Sequence, residues 1–393
     1  MYYTRQLYPL LEAELETKEM TVLTGMRRVG KTTALRHLYG LVKSENKTLL
    51  DLENPLHRKL FEEEQYDTVW NNLSQFGVTN TRKAYICIVE VENLPEVRRV
   101  VKYLYDHWDV KFILTGSSSF YLRNLFPESL SGRKVIFEMF PLTFLEFLIF
   151  KNISRDNQES WSYRAKHKNT IAHERLISLY DEYMEYGGFP SVVLEENRER
   201  KRVLLSEIFT SYFEKDAKNL ADFRDMSKLR DLILLLVSRV GSRIEILKLA
   251  ATLSVSRETV YTYLSFLEQT YFITLLSKYS GSIDRQAAGS KKVFLCDSGL
   301  LNMLGRASQG QIFEQSVYQN IRNAHTLQYY SKDGASEIDF IVDESCALEV
   351  KLSMSQHDVA TLSRRSALLN LKERYIITHQ YCDHPEAILA TDL

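Results

Sequence analysis

Residues 21–33 read Thr-Val-Leu-Thr-Gly-Met-Arg-Arg-Val-Gly-Lys-Thr-Thr, and no other stretch restricts the fold of this chain as strongly. Gly25, Gly30, Lys31 and Thr32 fit the pattern G-x-x-x-x-G-K-[ST]. A β-rich run at 21–24 precedes the loop and a helical pattern at 34–42 follows it, which is the context the pattern requires. The glycines let backbone N–H groups wrap a phosphate chain. Lys31 supplies a point charge to the outer phosphates, and the Thr32 hydroxyl suits Mg²⁺. A glycine-rich turn with a chance lysine would explain neither the strand before it nor the helix after it.

The rest of the first third extends this unit. Residues 47–52, 84–90 and 111–115 read as further strands, and 96–107 as a helix opened by Pro95. Strands alternating with helices imply a parallel sheet covered on both faces, with its chemistry at the strand C-termini. That rule gathers Asp51, Glu90 and residues 115–119 near the phosphate loop. A chain of 393 residues exceeds one ordinary core, so about two to four domains are expected. The formal charge of -1 hides local asymmetry and does not exclude nucleic acid. Four scattered cysteines, Cys87, Cys296, Cys346 and Cys382, form no C-x-x-C pair and fit a reducing cytoplasm. No run reaches the roughly 18 apolar residues needed to span a bilayer, so no membrane role is expected.

The phosphate loop, Leu-Asp-Leu-Glu-Asn-Pro at 50–55, Leu-Thr-Gly-Ser-Ser-Ser at 114–119, Leu-Ser-Gly-Arg at 130–133 and Phe-Pro-Leu-Thr-Phe-Leu-Glu-Phe-Leu at 140–148 together resemble a prokaryotic AAA+-superfamily ATPase family with a C-terminal domain of unknown function related to restriction endonucleases. The resemblance implies ATP and Mg²⁺ as cofactors. In that family the third strand ends in Asp-Glu, the Asp helping to hold Mg²⁺ and the Glu polarising the attacking water. Here the pair is Val89-Glu90, so the candidate catalytic Glu90 remains and the metal-associated carboxylate is missing. Nucleotide binding with slow hydrolysis is the expectation, with Asp51 or Glu92 as substitutes for the missing acid. Ser117 resembles a polar sensor of the γ-phosphate, or it caps a following helix. Arg133 resembles a family arginine that contacts nucleotide in a neighbouring subunit, or it is an ion-paired arginine. The candidate nucleotide-binding set is Gly25, Arg28, Gly30, Lys31, Thr32, Thr33, Ser117 and Arg133.

Residues 151–172 read as a polar passage, and 173–225 as a helical lid broken at Gly187-Gly188-Phe189-Pro190. Three helical patterns follow at 229–240, 244–253 and 256–270, then apolar strands at 272–276 and 292–296, which together suggest a winged helix. Arg257, Tyr261 and Thr262, with Lys248, Lys278, Arg285, Lys291 and Lys292, are candidate DNA contacts; protein docking is the other reading of the same unit.

The C-terminal part carries a second constellation. Strands at 338–342 and 347–351 present Asp339 and Glu349, and alternation places Lys351 on the same face as Glu349. A helix at 311–323 adds Glu314, and a helix at 357–371 and a strand at 374–378 follow. This order is similar to the PD-(D/E)XK nuclease core. Asp339, Glu349 and Glu314 are hard oxygen ligands for Mg²⁺ or Mn²⁺, and Lys351 would orient the attacking water. A simple Glu349–Lys351 salt bridge is the plainer reading, and many members of this fold bind without cutting. The expected architecture is α/β: a P-loop AAA+ parallel sheet at 1–150, a linker and helical lid at 151–227, a winged helix at 228–296, and a nuclease-like domain at 297–393. The expected partners are DNA and, further, a second copy of the chain or another protein. The catalytic candidates are Glu90, Asp339, Glu349 and Lys351, and the metal candidates Thr32, Glu314, Asp339 and Glu349. A nucleotide-gated scaffold with an inactive nuclease fold is the alternative function.

Overall fold

The computed structural model describes residues 3–116, 132–155, 160–217, 226–282, 284, 286, 289–305, 307–332 and 336–393. The chain divides into two compact units, Met1–Phe140 with Gln269–Tyr271, and Pro141–Glu268 with Phe272–Leu393. In the first unit a short helix α1 (Tyr8–Ala13) leads into β1 (Met20–Thr24), α2 (Lys31–Leu41) and β2 (Lys47–Asp51). Then come α3 (Pro55–Phe61), α4 (Tyr66–Leu73), β3 (Ala84–Val89), α5 (Val97–His107), β4 (Val110–Thr115) and β5 (Lys134–Glu138).

The sheet order is β2-β3-β4-β1-β5, and every pairing is parallel. Strand β1 is buried along its whole length and β4 likewise, because helices cover both faces of a parallel sheet. Helix α5 turns Val97, Val100, Val101 and Leu104 inward at helical spacing, against Ile86, Ile88, Phe112 and Leu114 of the sheet. Strand β5, which the sequence pattern did not single out, is a half-exposed edge strand with little apolar signal.

The second unit begins with α6 (Phe144–Phe150), opened by a capping box between Thr143 and Glu146. Helices α7 (Trp161–Lys166), α8 (Thr170–Tyr186), α9 (Pro190–Val193) and α10 (Arg198–Ser211) follow, so the polar passage at 151–172 contains a short helix opened by Ser160. Phe144 packs edge-on against Tyr180 and tilted against Tyr183 of α8, and Phe147 packs edge-on against Tyr183. The Gly187-Gly188 break does more than turn the chain. A Cβ on Gly187 would lie 1.9 Å from Asp297 Oδ1, and Gly188 N–H donates to Asp297 Oδ2 at 2.7 Å.

Helices α11 (Met226–Val237), α12 (Ile246–Leu253) and α13 (Arg257–Gln269) precede an antiparallel hairpin of β6 (Ile273–Leu276) and β7 (Lys292–Leu295). Helices α14 (Ser298–Leu304) and α15 (Gln309–Ile321) lead to β8 (Leu327–Lys332), β9 (Ser336–Val342) and β10 (Cys346–Lys351). Helix α16 (Gln356–Leu368), β11 (Glu373–Thr378) and β12 (Ala387–Leu389) complete the unit. The second sheet runs β12-β11-β10-β9-β8, with β8, β9 and β10 antiparallel and β10, β11 and β12 parallel. Among the described residues no helix is long and apolar enough to cross a membrane.

Candidate functional site

The phosphate loop leaves β1 at its C-terminal end, as the parallel sheet demands. Gly25 (φ +141°), Arg28 (φ +65°) and Gly30 (φ +105°) all adopt left-handed backbone, which curls successive N–H groups toward one side. At Gly25 the need is also steric, since a Cβ would meet the Met139 carbonyl oxygen at 2.0 Å. Gly30 is the N-cap of α2, so the helix N-terminus, with Lys31, Thr32 and Thr33 in its first turn, opens onto the same loop. Lys31 is buried, and its ammonium donates to the Gly25 and Met26 carbonyls at 2.8 and 2.9 Å. Arg5 braces the loop from outside, donating to the Val29 carbonyl at 3.0 Å and to that of Phe140 at 2.9 Å. Nothing in the sequence around Arg5 marks this role.

Glu90 follows β3 in a left-handed conformation (φ +56°), and its N–H donates to the Thr115 hydroxyl at 3.3 Å. Arg27 forks across two carboxylates, with Nη1 3.6 Å from Glu90 Oε2 and Nη2 3.9 Å from Glu92 Oε1. Burial, and then the neighbouring Glu92 carboxylate, push Glu90 up to about 8, against the pull of Lys31 and Arg27. Val89 is buried and aligned with Asp51 across β2 and β3. Asp51 is engaged in a turn, its Oδ1 accepting the Glu53 N–H at 2.9 Å. Of the two acids that sequence offers in place of the missing aspartate, Glu92 is the one beside Glu90.

Two nucleotide candidates are not added to this group. Arg133 pairs with Asp106 at 3.1 Å, and its carbonyl accepts the Met20 N–H at the opposite end of β1 from the loop. Four residues of strand, roughly 13 Å, separate the two ends. Within this chain Arg133 is an ion-paired arginine. Ser117 lies outside the described residues.

The loop and its flanks fit a nucleoside triphosphate. Curled N–H groups, a helix N-terminus and the Lys31 ammonium supply donors, and a largely buried pair of acids stands past the end of β3, which β4 separates from β1 in the sheet. Gly25, Arg28, Gly30, Lys31, Thr32 and Thr33 would hold the phosphates, and Mg²⁺ would carry the Thr32 hydroxyl among its ligands. Magnesium keeps several waters and needs few protein ligands, so one hydroxyl with nearby carboxylates suffices.

Two of the four C-terminal candidates, Glu314 and Asp339, meet at a side chain that sequence assigned elsewhere, and Glu349 and Lys351 adjoin them through Asp339. Lys292 of β7 is 1% exposed, and its Nζ lies 2.6 Å from Glu337, 3.4 Å from Glu314 and 3.7 Å from Asp339. The Tyr329 ring backs it at 5.6 Å. Asp339 shares a hydrogen bond with Glu349, and its Oδ2 accepts the Val350 N–H at 2.9 Å. Glu349 pairs with Lys351 at 3.0 Å through one oxygen and with Arg365 at 2.9 Å through the other. Burial, and then the Asp339 carboxylate, push both Glu314 and Glu349 up to about 8. Burial acts on Asp339 in the same sense, but Lys292 and Lys351 bring it below the usual carboxylate range. Burial alone would lower Lys292; the carboxylates of Glu314, Asp339 and Glu337 instead hold it above its ordinary value, fully charged.

Lys292 is therefore withdrawn from the candidate DNA contacts, because a buried ammonium enclosed by carboxylates reaches no phosphate. Lys291 donates to the Ser277 hydroxyl at 2.7 Å, and Arg285 lies outside the described residues. Arg257, Tyr261, Thr262 and Lys248 are exposed on α12 and α13, Lys248 pairing with Glu245 at 3.4 Å. Sequence missed Glu337 and Arg365; the strand parity that puts residues 337 and 339 on one face is a signal for Glu337, and Arg365 on α16 has none. Among the described residues no group of three or more histidine, cysteine or acidic side chains is arranged to hold a metal ion.

Comparison with known proteins matches two segments of the chain. Residues 17–148 match the model of an AAA domain, and residues 177–311 match that of a domain of unknown function (DUF8612). An uncharacterized protein of Haemophilus influenzae is 27% identical over 94% of this chain and 92% of its own length. An uncharacterized protein of Methanocaldococcus jannaschii is 26% identical over 84% of this chain and 74% of its own. Among solved structures, a Walker-type ATPase of Pyrococcus abyssi is 15% identical, with a TM-score of 0.46, over 77% of this chain and 96% of its own. The phosphate loop, all five strands of its sheet and the Glu90–Glu92 pair fall inside the matched AAA segment. The first unit thus carries an AAA-type P-loop domain.

Proposed function

We propose that this protein is an ATP-binding switch that hydrolyses its nucleotide slowly, with Mg²⁺ as the companion ion. The observation that carries the reading is the left-handed loop of Gly25, Arg28 and Gly30 with Lys31, set beside a Glu90 that burial, and then Glu92, keep mostly protonated at neutral pH. Glu90 orients and accepts a proton from the attacking water, and only its ionised form serves. Arg27 positions Glu90 and opposes Glu92. Hydrolysis is slow because the ionised fraction of Glu90 is small and because Val89 supplies no carboxylate. The test is binding of a fluorescent ATP analogue with Mg²⁺, followed by phosphate release under saturation. Binding lost in Lys31→Ala, with wild-type turnover well below about 1 per second, supports the reading. Turnover typical of active AAA+ enzymes and abolished by Glu90→Gln overturns it.

For the second unit we propose a winged helix at 228–296, with Arg257 and Tyr261 on its DNA-facing side, joined to a nuclease-like core at 297–393. The exposure of Arg257, Tyr261 and Lys248 supports DNA contact. The ion-paired state of Asp339 and Glu349 favours binding without cleavage over metal-dependent cutting. Linear, nicked and supercoiled DNA incubated with Mg²⁺ or Mn²⁺, with and without ATP and beside a Glu349→Ala control, decides between them; Glu349-dependent cleavage would restore the nuclease reading.

A further inference from the structure

A two-metal or one-metal phosphodiesterase needs carboxylate oxygens that are free to close on a dication at 2.0–2.6 Å. In the Glu314–Asp339–Glu349 cluster those oxygens already face protein cations and N–H groups. We infer that Lys292 is a tethered cation standing where a divalent metal would stand, so that this cluster is a metal-free structural joint between the β6–β7 hairpin and the sheet.

Three features carry this. The ammonium contacts acids from two separate elements, Glu314 from α15 and Glu337 and Asp339 from β9, so it sits among them and not at their edge. A dication placed among the same oxygens would lie within bonding distance of a permanently positive nitrogen. The remaining lone pairs are also directed: Asp339 Oδ2 to the Val350 N–H, Glu349 to Lys351 and Arg365. Finally, Lys292 is fixed by its own backbone. Strand β7 pairs with β6 on one side, where Leu276 faces Lys292, and on the other side Arg243 bridges to Lys292 and Ile244 N–H donates to the Lys291 carbonyl at 2.9 Å. Gly241 (φ +73°) completes the enclosure, since a Cβ there would fall 2.5 Å from Glu314 Oε2. Pairing on both strand edges fixes the face of β7 from which the Lys292 side chain leaves, and that face is the enclosed one.

This inference stands on the second unit's side chains and is independent of the nucleotide reading. The test is Mn²⁺ binding by the full, nucleotide-free chain, followed by electron paramagnetic resonance. Wild type and Asp339→Asn should bind the same number of Mn²⁺ ions, because Asp339 holds none. Lys292→Ala should gain one site, and Lys292→Ala/Asp339→Asn should lose it again. The melting temperature of Lys292→Ala should fall, and Mn²⁺ should restore it. Loss of a Mn²⁺ site in Asp339→Asn alone overturns the proposal, as does a folded Lys292→Ala that gains none. Where Lys292→Ala does not fold, the comparison of wild type with Asp339→Asn decides by itself.

Discussion

Arg27→Ala and Glu92→Gln should move nucleotide turnover in opposite directions, because the two residues act on Glu90 with opposite sign. Arg27 Nη1 lies 3.6 Å from Glu90 Oε2, and both side chains are more than four-fifths buried. A unit charge at that separation is worth about 5 kcal/mol at an effective dielectric of about 20. Residual solvent and the nearby Lys31 ammonium reduce the loss on deletion to about one pKa unit, or about 1.4 kcal/mol. Glu90 starts at about 8. Raised by that step, its ionised fraction at pH 7.5 drops from about a quarter to about 3%, and turnover falls about eightfold. Glu92→Gln removes a like charge and lowers Glu90, so by the same step turnover at pH 7.5 rises about threefold. The active form is the ionised one, so activity is present above the folded-state value and is lost as pH falls through it. Phosphate release at saturating ATP between pH 6.5 and 9.5 should show the midpoint displaced upward in Arg27→Ala and downward in Glu92→Gln. Midpoints that stay put, or that move together, would refute the assignment of Glu90 as base and of Glu92 as its suppressor.

Three further outcomes are expected. Gly25→Ala forces a Cβ to within 2.0 Å of the Met139 carbonyl at a φ of +141°, so nucleotide affinity should fall by more than about tenfold in a fluorescence titration; retained affinity would mean the loop is not the site. Asp297→Asn turns an amide NH₂ toward two donors, either Gly188 N–H and Gln319 or Gly299 and Leu300 N–H. Urea denaturation should record a loss of about 3 kcal/mol, and a loss below about 1 kcal/mol would show that the second unit does not depend on this carboxylate. Arg257→Ala should weaken DNA binding evenly across sequences and reduce the salt slope by about one, whereas unchanged binding assigns α13 to protein docking.

How far the sequence carried depends on whether a feature is local. The phosphate loop was legible because strand, glycines, lysine and helix are consecutive, and each enforces its neighbour's geometry. Elements β1 to β4 and the helices after Pro95 and at 309–321 fall within a few residues of the bounds their patterns predict, since burial on both faces or on one stripe writes itself into apolar spacing. Strand β5, half-exposed, leaves no such mark, and the short helix α7 is hidden in a polar stretch.

Charged residues are the opposite case, because their partners are chosen by topology and not by spacing. Arg133 and Arg27 look equivalent in composition, yet one lies at the wrong end of β1 for phosphate chemistry and the other spans Glu90 and Glu92. Lys292 is the sharpest instance. Beside Lys291 on a predicted wing strand it reads as a phosphate contact, and period-two alternation says only that the two lysines point to opposite faces. Which face is buried follows from the strand's pairing with residues 241–244 and 276, and from Glu314 arriving on α15 more than twenty residues later. Because both edges of β7 are hydrogen-bonded, the backbone cannot turn Lys292 to the other face, and the inward ammonium must meet carboxylates to be tolerated. The acids that a sequence reader assigns to a metal are thus explained, at least in part, as the counter-charge that one buried lysine requires.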